Sequence, residues 1–158
     1  MRTVEFVLSD LAATERLARR VAAVARVGDL IALKGDLGSG KTTFARFFLR
    51  AVSGRENEEV PSPTFNLLLV YSYPNLTVWH FDLYRLRAPE EAYELGVDDA
   101  LAEGVALVEW PERLGTYLPA ARLDLRLAES TTPDARHVTL AASGPWRDRL
   151  TLLVENGR

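Results

Sequence analysis

Apolar and polar positions change their spacing several times along this chain, and each change marks an element. Val4 to Leu8 reads as a strand, and a helix follows from about Ala12 to Ala25 with Leu17, Val21 and Val24 on one face. Gly28 closes that helical region. Asp29-Leu30-Ile31-Ala32-Leu33 is a short apolar run with the character of a buried strand. Beyond it, Phe44, Phe47, Phe48 and Ala51 recur at helical spacing. The most polar stretch, residues 53–59, is an exposed loop, and the two prolines of Val60-Pro61-Ser62-Pro63-Thr64-Phe65 enforce an extended path.

Asn66 to Tyr73 and Leu76 to Tyr84 flank Pro74-Asn75 as the arms of a hairpin. In the second arm Val78, His80, Asp82 and Tyr84 share one face, and Trp79, Phe81 and Leu83 share the other. Packing accounts for the aromatic and leucine face but not for His80 and Asp82 together. Pro89 to Leu95 is a short helix with proline in its first turn and Gly96 at its end. Val105 to Val108 is a buried strand that runs into Glu109-Trp110-Pro111-Glu112. Leu123 to Ala128 and His137 to Ala142 are two more strands, and Trp146, Leu150, Leu153 and Val154 mark a closing helix.

This order is not a simple βαβ alternation. It predicts an α/β fold with a mixed parallel and antiparallel sheet flanked by helices, with the hairpin and the C-terminal strands as the antiparallel extensions. No repeat or linker divides residues 1–158, and 47% hydrophobic residues suffice for one core, so a single domain is expected. Apolar runs are short and broken by charge, which excludes a helical membrane span. Met1 to Phe6 has no apolar leader character, and a cytoplasmic location is the expectation.

Composition narrows the chemistry. The absence of cysteine removes disulfides, thiolate metal sites and a cysteine nucleophile, and only His80 and His137 are available for an imidazole site. A hard ion on oxygen ligands, such as magnesium, remains open. The net charge is −3 and no run of five basic residues occurs, which disfavours an autonomous nucleic-acid binder.

Residues 35–42, Gly35-Asp36-Leu37-Gly38-Ser39-Gly40-Lys41-Thr42, have the spacing of a phosphate-binding P-loop, and they lie between the predicted strand and helix as that motif requires. Glycines let the backbone close around an anion with its N–H groups inward, and the helix start adds its positive dipole end. Lys41 is then placed to reach the β and γ phosphates, and the Thr42 hydroxyl to hold Mg²⁺. Of 19 basic residues only Lys34 and Lys41 are lysines. A glycine-rich surface turn is the bland alternative, and the flanking elements argue against it.

P-loop proteins carry an acid at the end of a second buried strand. Asp82 and Glu109 both qualify, although acids at strand ends are common without a role. Glu109 follows the cleaner apolar run and is preferred as the magnesium partner, with Asp82 as a second carboxylate that orients water or couples a loop to the phosphates. Thr64 lies where a switch segment could sense the γ-phosphate, and a merely proline-stiffened loop explains it equally well. Trp110 is either core or a partner surface. His80 alone reads as a structural histidine.

Together, Gly35 to Thr43, Ser62-Pro63-Thr64-Phe65, His80-Phe81-Asp82-Leu83-Tyr84-Arg85-Leu86 and Glu109-Trp110-Pro111-Glu112 resemble, in order and spacing, the TsaE (YjeE) family of small bacterial ATPases required for threonylcarbamoyladenosine (t6A) in tRNA. The resemblance implies ATP bound by Gly35, Asp36, Leu37, Gly38, Ser39, Gly40, Lys41, Thr42 and Thr43, and Mg²⁺ held by Thr42 and Glu109. It further implies Asp82 as needed for activity, Thr64 in a switch-like loop, and nucleotide contacts from Arg136 and from near Thr14. The implied partners are the TsaB and TsaD proteins, with tRNA met only through the assembly. Ser39 stands where the family commonly has alanine, and Ala88 where aspartate often precedes Pro-Glu-Glu, which removes a helix cap worth ~1 kcal/mol.

Three functions fit these residues: an ATP-driven switch acting on partner proteins, a small P-loop nucleotide or metabolite kinase, and an interaction module with structural nucleotide. A GTPase is disfavoured because no N-K-x-D motif is present.

Overall fold

A computed structural model of the chain describes residues 1–63 and 66–154; the expectations for Thr64 and Phe65 lie outside the described residues. In chain order the elements are β1 (Arg2–Leu8), α1 (Leu11–Val24), β2 (Leu30–Lys34), α2 (Lys41–Ser53), β3 (Leu68–Ser72), β4 (Thr77–Asp82), α3 (Pro89–Leu95), α4 (Val97–Glu103) and β5 (Val105–Glu109). A 3-10 stretch, Pro111–Tyr117, leads to β6 (Leu123–Glu129) and β7 (Arg136–Ala142), and α5 (Trp146–Arg149) runs into a last 3-10 turn, Leu150–Leu153.

All seven strands form one sheet in the order β1-β7-β6-β2-β5-β4-β3. β6, β2, β5 and β4 are mutually parallel at its centre, while β7 and β1 on one side and β3 on the other add antiparallel. The α/β fold with a mixed sheet flanked by helices is thus as the pattern predicts. β2 and β5 are buried on both faces, which is why they read as continuous apolar runs rather than alternations.

Alternate residues of the central strands feed two cores. Ile31, Leu33, Val105, Leu107 and Val78 pack with Leu17 and Val21 of α1 and Phe44 and Phe48 of α2. Leu30, Ala32, Ala106, Val108 and Phe81 pack with Ala92 of α3, Val97 and Ala100 of α4, and Leu114. The glycine loop opens from β2 on the side of α2, so functional side chains on that face stand at the carboxyl ends of the parallel strands.

Several local features differ from expectation for physical reasons. α4 is too short to give a helical period; Gly96, at φ 103°, both ends α3 and starts α4. β4 stops at Asp82, whose Oδ1 accepts from the Tyr84 amide at 3.1 Å, so Tyr84 leaves the strand face. α3 has no side-chain cap at Ala88, yet the Glu91 carboxylate accepts from the Arg87 and Ala88 amides at 3.0 and 3.2 Å. Half of the reciprocal capping arrangement therefore survives. The closing helix is one turn followed by a 3-10 turn, pinned by Arg149 to Asp29 with contacts of 2.7 and 2.9 Å.

Candidate nucleotide site

Between Lys34 and Lys41 the backbone reverses through three glycines of positive φ. Gly35 (φ 142°) passes so close to Leu127 that a Cβ there would collide with its carbonyl and with the Ser39 side chain. Gly40 (φ 108°) turns the chain into α2 with no side-chain cap on the first amides of the helix. Those amides are the orphan donors that a helix start offers to an anion.

Lys41 is 5% exposed. Its Nζ donates to the carbonyls of Gly35 and Asp36, the latter at 2.9 Å, and lies 3.9 Å from the centroid of the Trp110 ring. Burial pushes the ammonium below the usual lysine range, and the carboxylates of Glu109, Glu112, Asp82 and Asp36 oppose that shift. Trp110 reaches this position through a left-handed backbone (φ 60°, ψ 53°) and meets the Tyr84 ring at 5.0 Å. A bulky residue in that conformation stores strain, as residues at functional sites often do.

Glu109 ends β5 beside Asp82, its register neighbour on β4. Both are buried, at 2% and 5% exposure. Glu109 Oε1 accepts from the Thr42 hydroxyl at 2.9 Å, and Oε2 accepts from His80 Nε2 at 2.7 Å. From the other flank, Arg136 donates through Nε to the Ser39 carbonyl at 2.7 Å. Its Nη1 donates to the carbonyls of Pro133 and Ala135 at 2.6 and 2.8 Å, which fixes the guanidinium against the loop.

A cleft of about 280 Å³ gathers Leu37, Gly38, Gly40, Lys41, Thr42, Thr43, Asp82, Glu109 and Arg136, with Tyr84 and Trp110 as its aromatic wall. Gly35, Asp36 and Ser39 line the adjoining groove behind the loop. Thr14, buried on α1, borders a small recess with Gly40, Thr43, Asp134 and Arg136. The predicted residues of the loop, both acids, Arg136 and Thr14 thus converge, while Thr64 lies outside the described residues.

The residues present fit magnesium. Thr42 Oγ1 and Glu109 Oε1 are oxygen donors already in contact beside the glycine loop. Among the described residues no group of three or more His, Cys, Asp or Glu could form an all-protein metal cage. One carboxylate and one hydroxyl are what Mg²⁺ takes when substrate phosphates and water supply its other ligands.

Two partners escaped the sequence reading. The pairing of His80 with Glu109 needs the parallel adjacency of β4 and β5, although the unexplained polar stripe of His80 and Asp82 was its signal. The Trp110 ring over Lys41 depends on a positive φ that no residue type announces.

Known proteins resemble this chain in sequence and in fold. The family model for threonylcarbamoyl adenosine biosynthesis protein TsaE matches residues 8–138. The tRNA threonylcarbamoyladenosine biosynthesis protein TsaE of Rickettsia bellii is 40% identical over 127 residues, covering 80% of this chain and 88% of the relative. Its namesake in Bacillus subtilis is 36% identical over 143 residues, covering 90% and 85%. The crystal structure of Bacillus subtilis YdiB superposes with a TM-score of 0.79 at 29% identity, covering 96% of this chain and 94% of that one. With the family model spanning the glycine loop, both strand-end acids and Arg136, the chain belongs to the TsaE family of threonylcarbamoyladenosine biosynthesis proteins.

Proposed function

We propose that this protein binds ATP with magnesium and hydrolyses it as a switch in forming t6A on tRNA, acting in the cytoplasm with TsaB and TsaD and reaching tRNA only through that assembly. The observation that carries the reading is the 2.9 Å contact between Thr42 Oγ1 and Glu109 Oε1 beside a glycine loop with an uncapped helix start.

In this reading the loop amides and the first turn of α2 receive the phosphates. Lys41 exchanges the carbonyls of Gly35 and Asp36 for phosphate oxygens, a change that draws a buried ammonium toward opposite charge. Thr42 and Glu109 hold Mg²⁺, which when bound neutralises charge on the β and γ phosphates. Asp82, buried beside Glu109, orients the attacking water. Trp110 and Tyr84 form the aromatic wall of the cleft, and Arg136 keeps the loop seated through Ser39.

Among the described residues no helix is long and apolar enough to cross a membrane.

The test is nucleotide turnover by the chain alone and with purified TsaB, TsaD and tRNA. Slow ADP and phosphate formation that rises with the partners supports the reading. Transfer of the γ-phosphate to an added nucleoside or metabolite faster than to water overturns it in favour of a kinase.

A further inference from the structure

We propose that His80 is the positioning residue of Glu109: its Nε2–H holds one carboxylate oxygen so that the other stays turned toward Thr42 and the cleft. This inference rests on the magnesium-ATP reading above.

Strand alternation sets the arrangement. Val78, His80 and Asp82 of β4 lie on the same sheet face as Val105, Leu107 and Glu109 of β5, and in register His80 stands beside Leu107 while Asp82 stands beside Glu109. His80 is therefore one residue pair below the site, fully buried behind it. The Glu109 carboxylate reaches back to it at 2.7 Å, and because an ionised carboxylate can only accept, the imidazole donates from Nε2.

The oxygens of Glu109 then divide their work. Oε1 takes the Thr42 hydroxyl at 2.9 Å and Oε2 takes the imidazole. Removing the imidazole would leave a buried oxygen without its donor and free the carboxyl to rotate toward another one. The other ring nitrogen makes the same point from the opposite side: Nδ1 is buried and has no hydrogen-bond partner. A histidine kept for packing alone would leave two polar atoms to satisfy among Val78, Leu107 and their neighbours, where leucine would leave none. The Nε2 contact is what the ring provides that an apolar side chain does not.

The test compares His80→Leu with His80→Gln, whose amide can again donate to Glu109. Affinity for a non-hydrolysable ATP analogue is titrated against Mg²⁺, and Mn²⁺ bound to the nucleotide complex is followed by electron paramagnetic resonance. In His80→Leu the divalent-ion concentration needed for half-maximal effect is expected to rise about 10- to 100-fold, the range for losing a hydrogen bond behind a metal ligand. Affinity in EDTA should be unchanged, and His80→Gln should recover most of the loss.

Nitrogen-15 spectra of the wild-type imidazole give a readout that survives poor folding of the variants: the Nε2–H tautomer is expected, with its signal displaced in Glu109→Gln. A folded His80→Leu with wild-type metal dependence, or a wild-type Nδ1–H tautomer, would overturn the role of His80. A wild-type chain whose nucleotide affinity ignores Mg²⁺ would instead overturn the magnesium-ATP reading and this inference with it.

Discussion

Thr42 on the first turn of α2 and Glu109 at the end of β5, 67 residues apart in sequence, meet at 2.9 Å through Oγ1 and Oε1. The contact joins the glycine loop to the neighbouring parallel strand, and it is the point from which the chemistry of the site follows. Thr42→Ser, which keeps the hydroxyl, should retain magnesium-dependent turnover. Thr42→Ala and Glu109→Gln should each lower it on the order of 10²-fold, in line with removing one group that stabilises transferring charge. Steady-state phosphate release at saturating ATP checks the series.

Gly35 and Gly38 separate two consequences of a missing Cβ. At Gly38 (φ 79°) a methyl group meets open space, so Gly38→Ala should cost only backbone strain, about 1–2 kcal/mol. At Gly35 the methyl group would also strike the Leu127 carbonyl and the Ser39 side chain. Gly35→Ala should therefore be the more destabilising of the two in urea unfolding, and should abolish nucleotide binding even where the protein remains folded.

The ion pair of Arg149 with Asp29 is nearly sealed from solvent, with side chains 6% and 9% exposed. Arg149 also donates to the Val24 carbonyl at 2.7 Å, and Asp29 accepts from the Arg26 amide at 2.7 Å. Truncation to alanine leaves a buried carboxylate unpaired, and Arg149→Ala is expected to cost about 3–5 kcal/mol in chemical unfolding. Arg149→Lys should recover little, because one ammonium cannot reproduce the two-pronged contact.

Tyr73 gives the fold a pH dependence at the alkaline end. Burial, and then the 2.6 Å hydrogen bond to Glu58, hold its phenol far above the ordinary value of 10.0. Tyr71 is raised as well, chiefly by burial and then by the Glu58 charge. The folded state thus keeps protons that the unfolded chain releases. The stability they contribute is complete below a pH of about 10 and is lost progressively as pH rises beyond it. Tyrosinate absorbance should show these two of the five tyrosines ionising at higher pH in the folded protein than in the unfolded chain. Tyr73→Phe should flatten the alkaline limb of stability against pH.

Contiguous chemistry is legible in the sequence, and chemistry assembled by strand pairing is not. The glycine loop is readable because its backbone demands fall on adjacent residues, and Glu109 because four apolar residues before it mark a buried strand whose end is the place for a magnesium-holding acid. The order of the strands is a different matter. Nothing local shows that β4 lies beside β5, so Asp82 and Glu109 read as two strand-end acids with separate roles, without the register that makes them neighbours. His80 reads as structural because its partner sits 29 residues away. Arg149 gives no signal at all, since its carboxylate is 120 residues distant.

The most direct test is ATP turnover by the wild-type chain, Lys41→Ala and Glu109→Gln, each measured with TsaB, TsaD and tRNA and with magnesium present or chelated. Only the wild-type chain with magnesium is expected to convert ATP to ADP and phosphate at an appreciable rate, faster with the partners than alone, and t6A formation is expected to fail with both variants. Equal turnover by all three chains, or t6A formation unaffected by either substitution, would contradict a magnesium-ATP switch built on Lys41, Thr42 and Glu109.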